Sequence, residues 1–373
     1  MKVEIERDAL LGALQQVTGV VEARNTIPVL ANLLLVVDAG ALSVTGTDLD
    51  IEATANAPAT GDMRVTVPND KLLAAVKSFK SGKLTIASVD GRHAVTVKQG
   101  RGVRTLSTLP ADDFPKRPPL GKAVSFSIPA ASLARIFGKC AVAQSTDETR
   151  YYLMGVFLHT TADKLFGAAT DGHRMIRVQA DLPDGAHDMA DIIVPKKAVA
   201  QVLQLIGKST GDVMVQTNGT AIAFQVGGST IISKLIEGTY PDYSRIIPAA
   251  AANQISVVRD VLIAASSAVT SVVNAEGDRT KVRAVAIEMG VDDDAHEMTA
   301  KDQMGTSAVE PIPATYKGAP LRFGINSQYL RDVAGIFAEG AALSITLHDP
   351  AAPLRIVSDN DPDIVGVIMP MRV

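Results

Sequence analysis

Residues Val65–Phe79 read VTVPNDKLLAAVKSF. Alternation at Val65 and Val67 suits a short strand, a proline follows, and Leu72, Leu73, Val76 and Phe79 then fall on one helical face. Strand, punctuation and amphipathic helix form one reading, because a helix with a single apolar stripe must lie against a sheet or another helix. The pattern recurs on both sides. Upstream, VEIERDALLGALQQV aligns Leu10, Leu11, Leu14 and Val17. Downstream, FSIPAASLARIFGKC aligns Leu133, Ile136, Phe137 and Cys140, and IIVPKKAVAQVLQLI aligns Val199, Val202, Leu203 and Ile206. ISVVRDVLIAASSAV gives Leu262, Ala265 and Val269, and FGINSQYLRDVAGIF gives Leu330, Val333 and Phe337. Successive stripes begin 61 to 68 residues apart. So even a spacing marks internal duplication. Pro68, Pro129 and Pro195 suit a first helical turn, and Asn69, Asp70, Asn326 and Ser327 suit a cap.

Strands follow every second helix. KLTIASV, HAVTVKQ and RTLSTL follow the second, DVMVQT, AIAFQV and TIISKLI the fourth, ALSITLH and LRIVSD the sixth. They alternate, are rich in Val, Ile and Thr, and are broken by DG, NG and DP turns. The expected class is therefore α+β, with helices on one side of antiparallel sheets. Proline-rich breaks at 113–119 and 248–252 divide the chain into three similar domains, 1–120, 121–250 and 251–373, with two helices each.

Composition narrows the function. Of 373 residues 47% are hydrophobic, enough for a core in each domain. No run reaches the ~18–20 apolar residues of a membrane helix, and the N-terminus MKVEIERDAL lacks a signal-peptide core. The single cysteine, Cys140, rules out an intrachain disulfide and a cysteine-rich zinc site. A soluble cytoplasmic protein is expected. The net charge of −4 does not advertise nucleic acid, and with no Trp and 4% aromatics, base stacking is a poor basis for binding. The six histidines show no metal-ligand spacing and there is no phosphate-binding P-loop motif, so no cofactor is expected.

Six duplicated helices invite a ring. Helices packed ~8–10 Å apart would give roughly 15–19 Å across for six and roughly 30–38 Å for twelve. Only the larger hole could admit a B-form duplex, so a duplex-encircling ring requires two chains. Arg7, Lys71, Lys77, Lys80, Arg135, Lys139, Lys196, Lys197 and Arg331 lie on the helices or their ends, whereas acidic runs such as VDDDAHE and SDNDPD lie in loops. A weakly positive bore in a net-acidic body suits sliding, since many strong phosphate contacts would pin the protein.

Longer motifs carry a resemblance. NTIPVLANLLL with TGTDLDIE, DETRYYLMG with ATDGHRM, EGTYPDYSRIIP, and the terminal VIMPMRV span the whole chain. In these segments and their spacing it resembles the bacterial DNA polymerase sliding clamps, the beta subunits of the replicative polymerase. The resemblance implies the DNA clamp fold in a head-to-tail homodimeric ring, its helices inside and sheets outside. It implies a non-catalytic processivity factor that holds the replicative polymerase, the clamp loader and other proteins with short clamp-binding motifs. Carried over residue by residue, it places a peptide pocket at Leu153, at Thr170, Gly172, His173, Arg174 and Met175, at Pro241, Arg245 and Ile246, and at Val367, Met369, Pro370, Met371 and Arg372. Methionines and apolar walls suit varied peptide ligands. Met175 and Ile246 replace the Leu and Val frequent in that family, which bears on ligand preference. For DNA it points to Arg24, Tyr151, Tyr152 and Lys197, and Val272 and Val273 would lie near the dimer seam.

Other readings remain. Asp171, His173 and Arg174 could imitate an acid–base cluster of a hydrolase or transferase, but no nucleophile motif stands nearby, and Asp171-Gly172 reads better as a turn between strands. Tyr151 and Tyr152 also read as a strand pair with one ring buried. A dimeric scaffold that never meets DNA is a further alternative.

Overall fold

The structure, a computed structural model, describes residues 1–22, 26–207, 209–249, 251, 253–274, 283–292 and 295–373. Each of the six duplicated segments forms its helix: α1 Arg7–Val17, α2 Asn69–Lys77, α3 Ala130–Cys140, α4 Lys196–Ile206, α5 Arg259–Val273 and α6 Ser327–Ala334. Their stripes are buried. Leu10, Leu14, Leu72, Val76, Ile136, Phe137, Val202 and Val333 are fully enclosed. The stripe is narrower than the sequence implies, because Leu11, Leu73 and Leu203 are only half-buried at its margin. Capping follows two modes. Pro68 and Pro195 occupy the N-cap positions of α2 and α4, while the Asn326 side chain accepts from Gln328 N and Tyr329 N at the start of α6. Asn69 lies inside α2 rather than capping it.

The chain forms two compact units: residues 1–134, 160–162 and 182–237, and residues 135–159, 163–181 and 238–373. Neither coincides with a single duplicated module. In the first unit one antiparallel sheet runs in the order Gly102–Ser107, Ala94–Gln99, Lys83–Ser88, Lys2–Glu6, Ile51–Pro68, Ser229–Lys234, Ala221–Val226, Asp212–Thr217 and Val124–Pro129. Asn32–Asp38 and Ala41–Thr47 pair with each other and with Ile51–Pro68. The long strand Ile51–Pro68 organises this unit: Ile51–Thr54 pairs with Thr230–Ser233, and Ala59–Asp62 with Lys2–Ile5. Sheet pairing thus continues from the first proline-bounded segment into the second.

In the second unit the order is Gly155–Thr160, Lys164–Thr170, Arg174–Asp181, Ile364–Ile368, Leu354–Val357, Ala342–Leu347, Asn253–Val258 and Ala314–Lys317. A four-stranded sheet, Ser307–Pro311, Ala295–Lys301, Ala284–Asp292 and Leu321–Asn326, lies in the same unit. Here too the sheet passes between segments distant in sequence, since Arg174–Val178 pairs with Ile364–Ile368.

The helix cations divide into two groups. Arg7 donates to Val76 O at 3.2 Å and Lys77 O at 3.4 Å, closing the C-terminus of α2. Arg135 pairs with Asp361, Lys139 donates to Ile336 O, and Arg331 bridges α6 to Ser266 and Thr270 of α5. Burial pulls the Lys139 ammonium below its ordinary range. These four serve packing rather than a free cationic face. Lys71, Lys77, Lys80 and Lys196 are exposed.

The narrow stripe gives a direct test. Leu72→Ala removes a fully enclosed side chain and is expected to cost about 2–5 kcal/mol. Leu73→Ala, at the half-buried margin, is expected to cost about 1 kcal/mol or less. Urea denaturation of the two variants checks this; equal losses would contradict the assigned helix face.

Candidate functional site

The residues gathered by the sequence motifs meet in the second unit, around the hairpin that joins Lys164–Thr170 to Arg174–Asp181. Thr170 Oγ1 donates to Arg174 O at 2.7 Å and accepts from Gly172 N at 3.1 Å. Asp171 Oδ1 accepts from His173 N at 2.9 Å and Arg174 N at 3.0 Å. Such side-chain-to-backbone bonds fix a tight turn. Gly172 carries φ +89°, which a side chain rarely adopts, and a Cβ there would also collide with the Arg150 guanidinium. Asp171-Gly172 is thus the turn that the sequence allowed.

This bonding disposes of the acid–base reading. Asp171 uses its second oxygen on Arg174 Nε at 3.1 Å. Arg174 also pairs with Asp332 of α6 and lies over the Tyr329 ring, 4.6 Å from its centroid. His173 is exposed, its ring stacked against Tyr329 with centroids 6.0 Å apart. The Thr170 hydroxyl is engaged by the Arg174 carbonyl and the Gly172 N–H, and the cluster serves to hold one rigid edge.

The C-terminal segment completes that edge. Met369 N donates to His173 O at 2.8 Å, and Met371 N to Gly324 O at 2.9 Å. Gly324 admits this approach, because a Cβ there would collide with Met371 O and the Val373 side chain. A cavity of about 560 Å³ lies alongside, lined by Arg322, Phe323, Gly324, Pro350, Ala351 and the segment Pro370–Val373. On the opposite flank, Tyr243–Ile246 forms a short turn of 3₁₀ helix capped by Asp242. The Ser244 hydroxyl, with help from Arg245, holds the Asp242 carboxyl below its usual range. Tyr240, stacked on Phe157 with centroids 4.6 Å apart, anchors the preceding chain.

The expected pocket residues therefore play two parts. Leu153, Thr170, Met175 and Val367 are buried, and Met175 faces Val367 across the paired strands. They support the surface from beneath. Ile246, Met369 and Met371 are 36–39% exposed, and Pro241, Arg245 and Arg372 are open to solvent. Tyr329, Asp332, Arg322 and Phe323 were not singled out from the sequence. Only the off-stripe aromatic in NSQYL hinted at Tyr329; Asp332 joins through Arg174, 158 residues distant in sequence, and Arg322 and Phe323 through the cavity they share with Pro370–Val373.

The DNA candidates fare unevenly. Arg24 lies outside the described residues. Lys197, at the start of α4, is held by Asp48 and by Glu22 at 3.2 Å. Tyr151 and Tyr152 lie in a 3₁₀ segment, Glu148–Leu153, rather than in a strand. Their rings meet edge to face at 5.8 Å, with Tyr151 54% exposed.

Comparison with known proteins fits this construction. Residues 1–118, 127–242 and 244–372 match the N-terminal, central and C-terminal domain models of the DNA polymerase III beta subunit. The chain is 35% identical to the beta sliding clamp of Caulobacter vibrioides and 31% identical to that of Escherichia coli K12, covering all of both chains in each case. Among solved structures, a Caulobacter crescentus beta sliding clamp superposes with a TM-score of 0.93 at 34% identity, over 100% of this chain and 99% of that one. A Bartonella birtlesii sliding clamp, solved bound to griselimycin, gives 0.93 at 33% identity over the full length of both. By its three successive domain matches and its full-length likeness to these proteins, the chain belongs to the DNA polymerase III beta subunit family, the bacterial beta sliding clamps.

Proposed function

We propose that two copies of this chain close head to tail around duplex DNA in the cytoplasm, and that the ring tethers the replicative polymerase through the surface at 170–174. Each copy would contribute modules 1–120, 121–250 and 251–373. The observation that carries this reading is a sheet end in each of the first and third modules with an exposed valine on it. Gly102–Ser107 ends the sheet of the first unit and Ser307–Pro311 that of the four-stranded sheet. Val103, Val309 and Val272 are 47%, 54% and 50% exposed. Long open edges are normally blunted or paired, and pairing edges of the first and third modules across two copies leaves a closed ring. Val272 suits this seam; Val273 is 2% exposed and belongs to the core.

Peptide motifs from the polymerase catalytic subunit, the clamp loader and other partners would lie across Leu153, Thr170, Gly172, His173, Arg174, Met175, Pro241, Arg245, Ile246, Val367, Met369, Pro370, Met371 and Arg372. The rigid turn supports this reading, as do the adaptable Met369 and Met371 beside it. Deleting Met369–Val373 is expected to abolish binding of polymerase-derived peptides by calorimetry while the solution mass remains that of a dimer. Unchanged peptide affinity would contradict the assignment, and a monomeric mass for the intact chain would contradict the ring.

In the bore, Arg24, Tyr151, Tyr152 and Lys197 would meet the DNA backbone, joined by the exposed Lys71, Lys77, Lys80 and Lys196. Because Lys197 already has two carboxylate partners, a phosphate must compete for it. Lys197→Ala is expected to lower the salt slope of DNA binding by about one. Glu22→Gln, which releases one competitor, is expected to tighten binding. Fluorescence anisotropy across a salt series measures both, and slopes identical to the parent chain would refute the phosphate role.

A further inference from the structure

The turn at 170–174 has a counterpart in the first unit. Thr47 Oγ1 donates to Ile51 O at 2.9 Å and accepts from Leu49 N at 3.0 Å, while Asp48 Oδ1 accepts from Asp50 N and Ile51 N at 2.9 and 2.8 Å. These are the bonds of Thr170–Arg174, atom for atom. The flanking strand repeats as well. Lys234 N donates to Asp50 O at 2.8 Å, as Met369 N does to His173 O, and Ile51 faces Ser233 as Arg174 faces Ile368. An aromatic–proline pair closes each arrangement: Phe114-Pro115 here and Tyr240-Pro241 there, both rings buried. Turn and flanking bond also recur at Thr217–Ala221, where Leu235 N donates to Thr220 O at 2.9 Å.

In the first unit they enclose a cavity of about 300 Å³, with Pro118, Pro119, Leu120 and Ile232 among its walls. Two differences mark it. Leu49 stands where the other turn has Gly172, at φ +81° and 42% exposed. The left-handed conformation costs a branched side chain roughly 1–2 kcal/mol, and Arg117 Nη2 donates to the Leu49 carbonyl at 3.2 Å. An apolar side chain is thereby held at the cavity rim where glycine would be relaxed. The rim is also cationic. Lys234 pairs with Asp50, but among the described residues neither Lys116 nor Arg117 has an ion pair within 4 Å. Burial holds the Glu52 carboxyl above its usual range, against the pull of Arg117.

We propose that this cavity is a second docking site, taking a short acidic peptide with an aliphatic or aromatic anchor. The proposal rests in part on reading the 170–174 surface as a peptide site. Cationic rim and apolar floor select such a segment by charge and shape, and the volume suits one or two side chains.

Cys140 is fully buried, so Pro119→Cys places a single reactive thiol at the rim for a trifluoromethyl reporter. The probe is the acetylated peptide Glu-Leu-Asp-Leu-Phe, titrated into the full chain. The expected result is a saturable ¹⁹F shift that survives deletion of Met369–Val373. Arg117→Glu or Leu49→Gly should weaken it about tenfold or more; the latter leaves a turn like that at Gly172. A reporter silent to saturation, or a shift indifferent to both substitutions, overturns the proposal. Calorimetry on the deletion variant separates the two readings: peptide binding that the deletion leaves intact in full overturns the 170–174 surface, while the Pro119 reporter judges this cavity alone.

Discussion

Two main-chain hydrogen bonds, from Lys234 N to Asp50 O and from Met369 N to His173 O, join successive duplicated segments. Each bond stitches the closing strand of one duplicated segment to the turn of the segment before it. A sheet cannot stop without leaving a row of unpaired donors and acceptors, so each segment satisfies its edge with the next. The compact units accordingly form around the junctions and do not respect the sequence repeat. Duplication supplies copies of one module, and edge pairing joins neighbouring copies within each unit.

The protein is a DNA sliding clamp, an accessory subunit of the polymerase with no reaction of its own. Its polar clusters fit that role. Asp171, Arg174 and Asp332 spend their hydrogen-bonding capacity on one another and on the backbone. Groups so committed hold a surface still. On the proposed reading, rigidity in the turn would lower the ordering cost of capturing a flexible motif, while thioether side chains beside it would accommodate variety.

Much of this was legible in the sequence because helical periodicity is a local signal. All six helices form within their stripes, although α2 ends at Lys77 and α6 at Ala334, short of Phe79 and Phe337, and the core residues are those at the centre of each stripe. The errors came where long-range packing decides. Leu11, Leu73 and Leu203 looked like core by spacing, yet the facing surface is too narrow to cover them. Arg7, Arg135, Lys139 and Arg331 looked like bore cations, yet carbonyls and carboxylates brought in from other elements engage them. Tyr151 and Tyr152 sit in a 3₁₀ turn that alternation does not announce. Around the 170–174 turn, the motif residues could be named, but not which of them are exposed. Met175 and Val367 lie beneath the surface because the pairing of their strands turns both inward.

The central claim is topological: the protein holds DNA by enclosing it, with weak contacts that permit movement. Retention on nicked circular duplex after loading by the cognate clamp loader tests this most directly, with the same DNA linearised by a single cut as the comparison. Enclosure predicts that the protein stays on the circle and runs off the linear form at once. Equal departure from both templates would show that it grips DNA by contact alone and would contradict the ring.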